Sequence, residues 1–128
     1  MRVENHVSSM QAQKAELFEQ ISAQGWSFAE VEDWQLEWWA DEIWLLESTW
    51  SPIGVRAYLT FLVDPMVEDW QHRKKGESVW AVQVSPSKPE SRTSPEGSFQ
   101  ISLNQGWRKE LPAFLKHLSL LREKGKAA

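Results

Sequence analysis

The chain has 128 residues, of which 41% are hydrophobic and 25% charged, and a formal net charge of −4, a balance typical of a soluble globular protein. The absence of cysteine excludes a disulfide framework, a thiol nucleophile and thiolate metal sites, and it fits a cytoplasmic location. No apolar run approaches the length of a membrane span, and the polar first residues lack the pattern of a signal peptide. We therefore expect one cytoplasmic domain over residues 1–128, without membrane contact.

Acidic residues are concentrated in the first part of the chain. Residues 1–50 contain ten acids and two bases, whereas residues 107–128 contain two acids and six bases. An acidic surface repels phosphates, so this distribution argues against general nucleic-acid binding. The basic end of the chain is interpreted as the ordinary complement to the C-terminal end of a helix.

The first predicted element is an amphipathic helix over residues 9–24. Ser8 and Gln11 have the spacing of a capping box at its start. Gly25 predicts a left-handed stop after it, which would bring Trp26 back against the helix. The apolar residues at helical spacing are Met10, Leu17, Phe18 and Ile21.

Tryptophan dominates the next segment, since nine of them occur in the chain against a single tyrosine. Residues 34–39 alternate in polarity and predict a strand, residues 40–42 predict a turn, and residues 43–50 predict a second strand. This turn length would pair Trp38 with Trp44 and place Leu36 opposite Leu46.

A turn signal at Ser51–Gly54 leads into a third predicted strand, Val55–Val63. The expected register places Leu46 opposite Leu59 and Trp44 opposite Phe61. Both hairpins then present their apolar residues on one side of an antiparallel sheet, which we call the core face. Its predicted members are Trp34, Leu36, Trp38, Trp44, Leu46, Leu59 and Phe61.

The remaining pattern completes an α+β fold. Residues 65–77 are compatible with a short helix or with a loop, and strands are predicted at Val79–Val84 and Ser98–Leu103. The serine- and proline-rich segment Ser85–Gly97 between them is predicted to be a mobile, exposed hairpin loop. A final helix is predicted from Pro112 to a stop at Gly125. We expect an antiparallel five-stranded sheet with the N- and C-terminal helices packed on one face.

The opposite side of this sheet, the second face, is more apolar than a solvated surface should be. We interpret it as a homodimer interface or a ligand-binding face. The alternative is that the sheet curls, or the middle segment folds over it, and buries these residues inside the domain. The candidate binding residues are Trp39, Ile43, Leu45, Glu47, Arg56, Tyr58 and Leu62.

Signals for catalysis and for metal binding are sparse, and no cofactor motif occurs. His6, His72 and His117 lie in three different elements without metal-ligand spacing, and His117 is predicted to be solvated. Glu37 and Glu47 could approach each other and act as a general acid pair. An acidic tract could chelate a hard cation, although a solvated acidic edge explains it better. The tract comprises Glu30, Glu32, Asp33, Glu37, Asp41 and Glu42.

The leading hypothesis is a non-enzymatic binding or adaptor protein that self-associates, or binds another protein, through the second face. The runner-up is a small-molecule or carbohydrate binding module with a tryptophan-lined pocket. An enzyme using Glu37 and Glu47 ranks third. A nucleic-acid binder ranks fourth, and its candidate residues are Trp70, His72, Arg73, Lys74 and Lys75.

Overall fold

The structure is a computed structural model that describes residues 3–33, 39–64, 66, 72, 76–90 and 93–127. Two helices flank five strands in the chain order α–β–β–β–β–β–α. The bounds are α1 Val3–Ala23, β1 Trp26–Asp33, β2 Ala40–Ser48, β3 Arg56–Val63, β4 Val79–Ser85, β5 Phe99–Ser102 and α2 Trp107–Ala127.

The predicted fold class is confirmed. The five strands form one antiparallel sheet in the order β1-β2-β3-β4-β5, so each strand pairs with its neighbours in the chain. Both helices cover the core face, where their apolar residues share one buried cluster with those of the strands. The cluster includes Met10, Leu17 and Ile21 of α1, Trp44, Leu46, Leu59, Phe61 and Val82 of the sheet, and Phe114, Leu118 and Leu121 of α2.

Helix α1 is longer than predicted at its start. It begins at Val3, so Ser8 lies inside the helix and the predicted capping box is wrong. Its end follows the prediction, because Gly25 adopts a positive φ of 81° and its N–H bonds to the Ser22 carbonyl at 3.1 Å. This reversal sends the chain directly into β1, which begins at Trp26.

The predicted first hairpin is wrong, because the first strand precedes the predicted one. β1 covers Trp26–Asp33, and the predicted strand partners Trp34–Trp38 lie outside the described residues. The predicted turn at residues 40–42 is the start of β2. Trp44 pairs with Val31 and Leu46 pairs with Phe28. The first strand was predicted around Trp34 because polarity alternates there. In the structure, the chain reversal at Gly25 determines where the strand starts.

The second hairpin keeps its predicted faces in a different register. Trp44 pairs with Leu59 and Leu46 with Ala57, a shift of two residues from the prediction. The connection is longer than the predicted turn, since the Ser48 N–H bonds to the Val55 carbonyl at 2.8 Å. Because side chains alternate with period two, a shift of two residues leaves the core face unchanged.

Three irregularities interrupt the pairing of the described strands: one lies in β1 between Phe28 and Glu30, and the other two lie on either side of the end of β3. Asp41 is the extra residue in β2, between Ala40 opposite Leu62 and Glu42 opposite Phe61. Trp80 is the extra residue in β4, because Ala81 pairs with Leu62 and Val79 pairs with Val63. Bulges change the direction of side chains and often occur beside functional sites.

Helix α2 also begins earlier than predicted, at Trp107, after Asn104 accepts the Gly106 N–H at 3.0 Å. Pro112 stands inside the helix, and the helix continues past Gly125, where a stop is predicted. The glycine has a packing role instead, since a Cβ atom there would lie 2.5 Å from Cγ1 of Val55. No helix in the described ranges is long and apolar enough to cross a membrane.

Candidate functional site

The structure brings the described candidate binding residues together on the second face, but it buries several of them. Trp39 is only 3% exposed, and Ile43 and Leu62 are also buried. Leu45 and Tyr58 are half-buried, and Arg56 is exposed. The three buried side chains pack with Ala40 and Ala81 in a small cluster distinct from the core. A charge introduced at Trp39 would therefore enter a buried apolar cluster.

The segment predicted to be an exposed hairpin loop lies against the second face. We call residues 86–97 the strap, of which residues 91 and 92 are outside the described ranges. Pro89 is buried, and the Ser94 hydroxyl donates to the Gln83 side-chain carbonyl at 2.7 Å. Most of its described residues are exposed, as predicted, but polar side chains of the second face are hydrogen-bonded to it.

The floor beneath the strap is polar although it is buried. Thr60, Gln83 and Ser85 are almost inaccessible to solvent, and Thr60 pairs with Gln83 across β3 and β4. The Ser85 hydroxyl donates to the Ser87 carbonyl at 2.8 Å. The Thr60 hydroxyl has no hydrogen-bond partner among the described residues. Natural domains rarely bury polar groups in this way unless water or a ligand completes their bonding.

One recess opens on the second face between two indoles, and we call it the tryptophan recess. Its volume is about 200 Å³. The bulge in β4 presents Trp80 there with 38% exposure, and Leu62 of its lining pairs in the sheet with the small residues Ala40 and Ala81. Its described lining residues are Trp39, Leu62, Val63, Trp80, Ser94 and Gln100.

A second recess of about 170 Å³ lies toward the other end of the same face, and we call it the tyrosine recess. Arg56 lies at its rim and faces Glu47, with Nε 3.5 Å from a carboxylate oxygen of that residue. Both groups are substantially exposed, so their attraction is screened. The lining residues are Glu30, Ile43, Leu45, Arg56, Tyr58 and Lys88.

The described residues provide little support for a catalytic pair or a metal site. Glu37 lies outside the described residues, so the proposed Glu37–Glu47 pair stays a prediction. Within the described ranges, no group of three or more histidines and acids is placed to hold a metal ion. His117 is not simply solvated, because its Nε2 lies 2.7 Å from the Gly97 carbonyl and its ring stacks on Phe99. The contact ties the end of the strap to α2.

A separate groove of about 420 Å³ lies on the core side, between α1 and β2, and we call it the edge groove. Phe18 stacks on Phe28 at a ring distance of 4.1 Å and still leaves 48% of its surface exposed. Val31, on the neighbouring edge strand, is 54% exposed. The described lining residues are Gln11, Lys14, Ala15, Phe18, Glu42 and Trp44.

A buried charge network forms the inner end of the edge groove. Nζ of Lys14 lies 2.9 Å from Asp41 and 3.7 Å from Glu42, and Asp41 also accepts the Gly76 N–H at 2.9 Å. Glu42 accepts the indole N–H of Trp44. The bulge at Asp41 brings both carboxylates to Lys14. These two acids were interpreted as part of a solvated edge, and the signal that was missed is an isolated lysine in an acidic half-chain.

Arg122 is a second buried cation that the sequence interpretation missed, since the whole basic end was interpreted as the ordinary complement to the C-terminal end of a helix. It is 6% exposed, and its guanidinium lies over the rings of Trp26 and Trp50 at 4.5 and 5.1 Å. It donates to the carbonyls of Gln24 and Gly25, just beyond α1. Burial lowers the pKa of Arg122 from its ordinary value, and the carbonyl oxygens at the helix end partly compensate the charge.

Comparisons with protein-family models, with curated proteins and with solved structures found no match for this chain. The two surfaces that remain as candidate sites are the edge groove with β1 and the second face with its two recesses.

Proposed function

We propose that this protein is a non-enzymatic, cytoplasmic binding protein that docks an extended, cationic segment of a partner protein along β1. The observation that supports this proposal most directly is the coincidence of an eight-residue edge strand with two exposed apolar side chains, Phe18 and Val31. The proposal keeps the predicted class of function and moves the site from the second face to the edge of the sheet.

The backbone of β1 offers the first element of recognition. β1 stands at one end of the strand order and pairs with β2, so its outer side can form ladder hydrogen bonds with an added strand. Strand addition of this kind is a common way to bind an extended peptide, with affinity from the backbone and specificity from alternate side chains.

Apolar side chains offer the second element. The ring of Phe18 contacts Phe28 of β1 and meets Trp44 edge-on at 6.3 Å, which places an exposed aromatic surface beside the edge strand. Val31 pairs with Trp44 and so lies on the same side of the sheet. Alternate side chains of an added strand would pack on Phe18 and Val31. Full burial of one apolar side chain there would contribute about 1.5–3 kcal/mol to the binding free energy.

Charge indicates the chemistry of the partner. The sequence of β1 contains three acids and no base, and Glu30 is exposed on the side of the second face. Pairing with a second copy of β1 would place acidic residues opposite acidic residues. Like charges opposite each other destabilise a strand pair, so this pairing is disfavoured. A segment that alternates apolar residues with lysine or arginine would complement both sides of the edge.

The predicted homodimer through the second face has less support from this geometry. Trp39, one of its candidate residues, is buried within its own chain, and the strap occupies part of the face. We expect a monomer in sedimentation equilibrium at micromolar concentration. A dimer that persists when Phe18 and Glu30 are substituted would restore the second face as the interface.

A labelled peptide of alternating valine and lysine tests the proposal by fluorescence anisotropy, with an alternating valine–glutamate peptide as the charge control. We expect Phe18→Ala to weaken binding roughly tenfold, since it removes about 1–2 kcal/mol of apolar contact. Glu30→Lys should weaken binding and reduce its dependence on salt. Leu120→Ala and Glu123→Lys, exposed substitutions on α2, serve as matched controls.

Two results would overturn the proposal. One is the absence of saturable binding of the valine–lysine peptide at low salt. The other is equal binding by the wild type and by both edge variants, provided that circular dichroism shows them folded.

A further inference from the structure

We propose that the tryptophan recess is a second, independent binding site, and that its ligand is a single neutral pyranose ring. Two tryptophans, a serine and a glutamine converge on a small depression in the second face, away from β1. The inference does not depend on the docking of a protein segment, because no lining residue of this recess belongs to the edge groove.

The indoles supply the surface on which a sugar ring can stack. Trp80 exposes 38% of its surface because it is the bulged residue of β4, and Trp39 forms the opposite part of the lining while almost wholly buried. The flat C–H face of a pyranose is apolar, and an indole presents a large, rigid and electron-rich face to such a surface. The bulge in β4 therefore directs the indole of Trp80 toward the recess, where it can contact a ligand.

Polar groups beside the indoles match the edge of a sugar. The Ser94 hydroxyl donates to Gln83 and keeps its lone pairs available as acceptors. Gln100 is exposed on β5 and pairs with Gln83 in the sheet, and its amide provides both donors and acceptors. Sugar hydroxyls both donate and accept hydrogen bonds. A lining that contains an amide and a hydroxyl therefore suits a sugar better than a purely apolar ligand.

Size and charge narrow the class of ligand. Pockets for drug-sized ligands typically have volumes of about 300–1,000 Å³, and this recess has about 200 Å³, so it suits one ring. Its described lining contains no charged side chain, whereas the tyrosine recess contains Glu30, Arg56 and Lys88. An anionic sugar or a phosphate would find no counter-charge among these lining residues, which favours a neutral monosaccharide.

The strap completes the site, because Ser94 belongs to it. The hydrogen bond from Ser94 to Gln83 holds this part of the strap at the recess, and the contact of His117 with Gly97 holds its end on α2. A site formed by a strap resting on a sheet is held in position before the ligand arrives, which reduces the entropic cost of binding.

Titration of the ¹⁵N-labelled protein with glucose, galactose, mannose and N-acetylglucosamine tests the inference. The readout is the set of indole Nε1–H signals in two-dimensional NMR. We expect at least one sugar to shift the signals of Trp80 and Trp39 saturably. Trp80→Ala should weaken binding roughly tenfold or more through the lost stacking surface. Gln100→Ala should weaken it about threefold to tenfold through a lost hydrogen bond.

Trp50→Ala is the matched control, because Trp50 is an exposed tryptophan outside the recess. It should leave sugar affinity unchanged, and the valine–lysine peptide should bind Trp80→Ala as it binds the wild type. The inference is overturned if none of the four sugars gives a saturable shift. It is also overturned if a folded Trp80→Ala variant binds as the wild type does, or if Trp50→Ala weakens binding equally.

Discussion

The two faces of this sheet are both largely buried, yet they are buried in different ways. On the core face, two helices cover a continuous apolar surface that includes Leu46, Leu59 and Phe61. On the second face, the strap lies over a floor in which Thr60 and Gln83 alternate with apolar neighbours. The core face therefore contributes most of the hydrophobic stabilisation, whereas the second face gives up close packing and keeps recesses that can accept a ligand.

The largest expected loss of stability follows from a substitution on the core face. Phe61→Ala removes a fully buried ring that meets Trp44 at 5.0 Å, and it should lower the free energy of unfolding by about 3–5 kcal/mol. Tyr58→Ala, half-buried on the second face, is the matched control and should lower it by clearly less. Chemical denaturation measures both, and equal losses would contradict the contrast.

Lys14→Met should have the next largest effect, because it leaves two buried carboxylates without their cation. Asp41 is inaccessible to solvent and Lys14 is largely buried, so we expect a loss of about 2–4 kcal/mol. Lys109→Met, an exposed substitution on α2, should change stability little. If Lys14→Met unfolds at the same denaturant concentration as the wild type, the network contributes nothing to stability.

Replacement of the strap should have a smaller effect on folding. An Asn-Gly turn between Ser85 and Ser98 fits the observed register, since Val84 pairs with Phe99. The sheet should form with a loss of about 1–2 kcal/mol, because the change removes the Ser94 and Ser85 hydrogen bonds while closure entropy changes little. Circular dichroism and denaturation measure this, and an unfolded product would show that the strap is part of the core.

The smallest expected effect concerns the ion pair that joins the two helices over the core face. Hydrogen bonds and the charge of Arg108 lower the pKa of Glu16 below its ordinary value. The pair therefore stabilises the fold above the ordinary glutamate pKa, and this contribution is lost as pH falls through the lowered value. Glu16→Gln should remove that part of the acid dependence and otherwise change the melting temperature slightly, because the pair is exposed and screened. An unchanged acid dependence in thermal melts would contradict this.

Sequence reasoning recovered the fold because the fold rests on local periodicity. The alternation in β3 and the helical spacing of Leu17 and Ile21 both direct apolar groups to one side, and the core cluster contains them as expected. The reversal at Gly25 was also predictable, since a positive φ favours glycine. The start of β1 was missed because the strong alternation around Trp34 competed with the weaker pattern after Gly25.

The candidate site was recovered only as a set of residues on one face. The alternation of side chains along β2 and β3 placed Ile43, Leu45 and Tyr58 on the same face. It could not indicate that the strap lies over part of that face. Nor could it indicate which tryptophans stay accessible. Trp39 was expected to be exposed and is buried, whereas Trp80, one residue out of phase in β4, lines the recess.

The sequence by itself determined the fold class, the core face of β2 and β3 and the reversal at Gly25, because each depends on neighbours within a few residues along the chain. Only the tertiary structure decided the register of the sheet, its bulges and the partners of Lys14 and Arg122. These depend on residues far apart in sequence, such as Asp41 with Lys14 or Ser48 with Arg122. Burial and hydrogen bonding between distant segments carry no local periodic signal, so a buried charge and a solvated one look alike until the chain is folded.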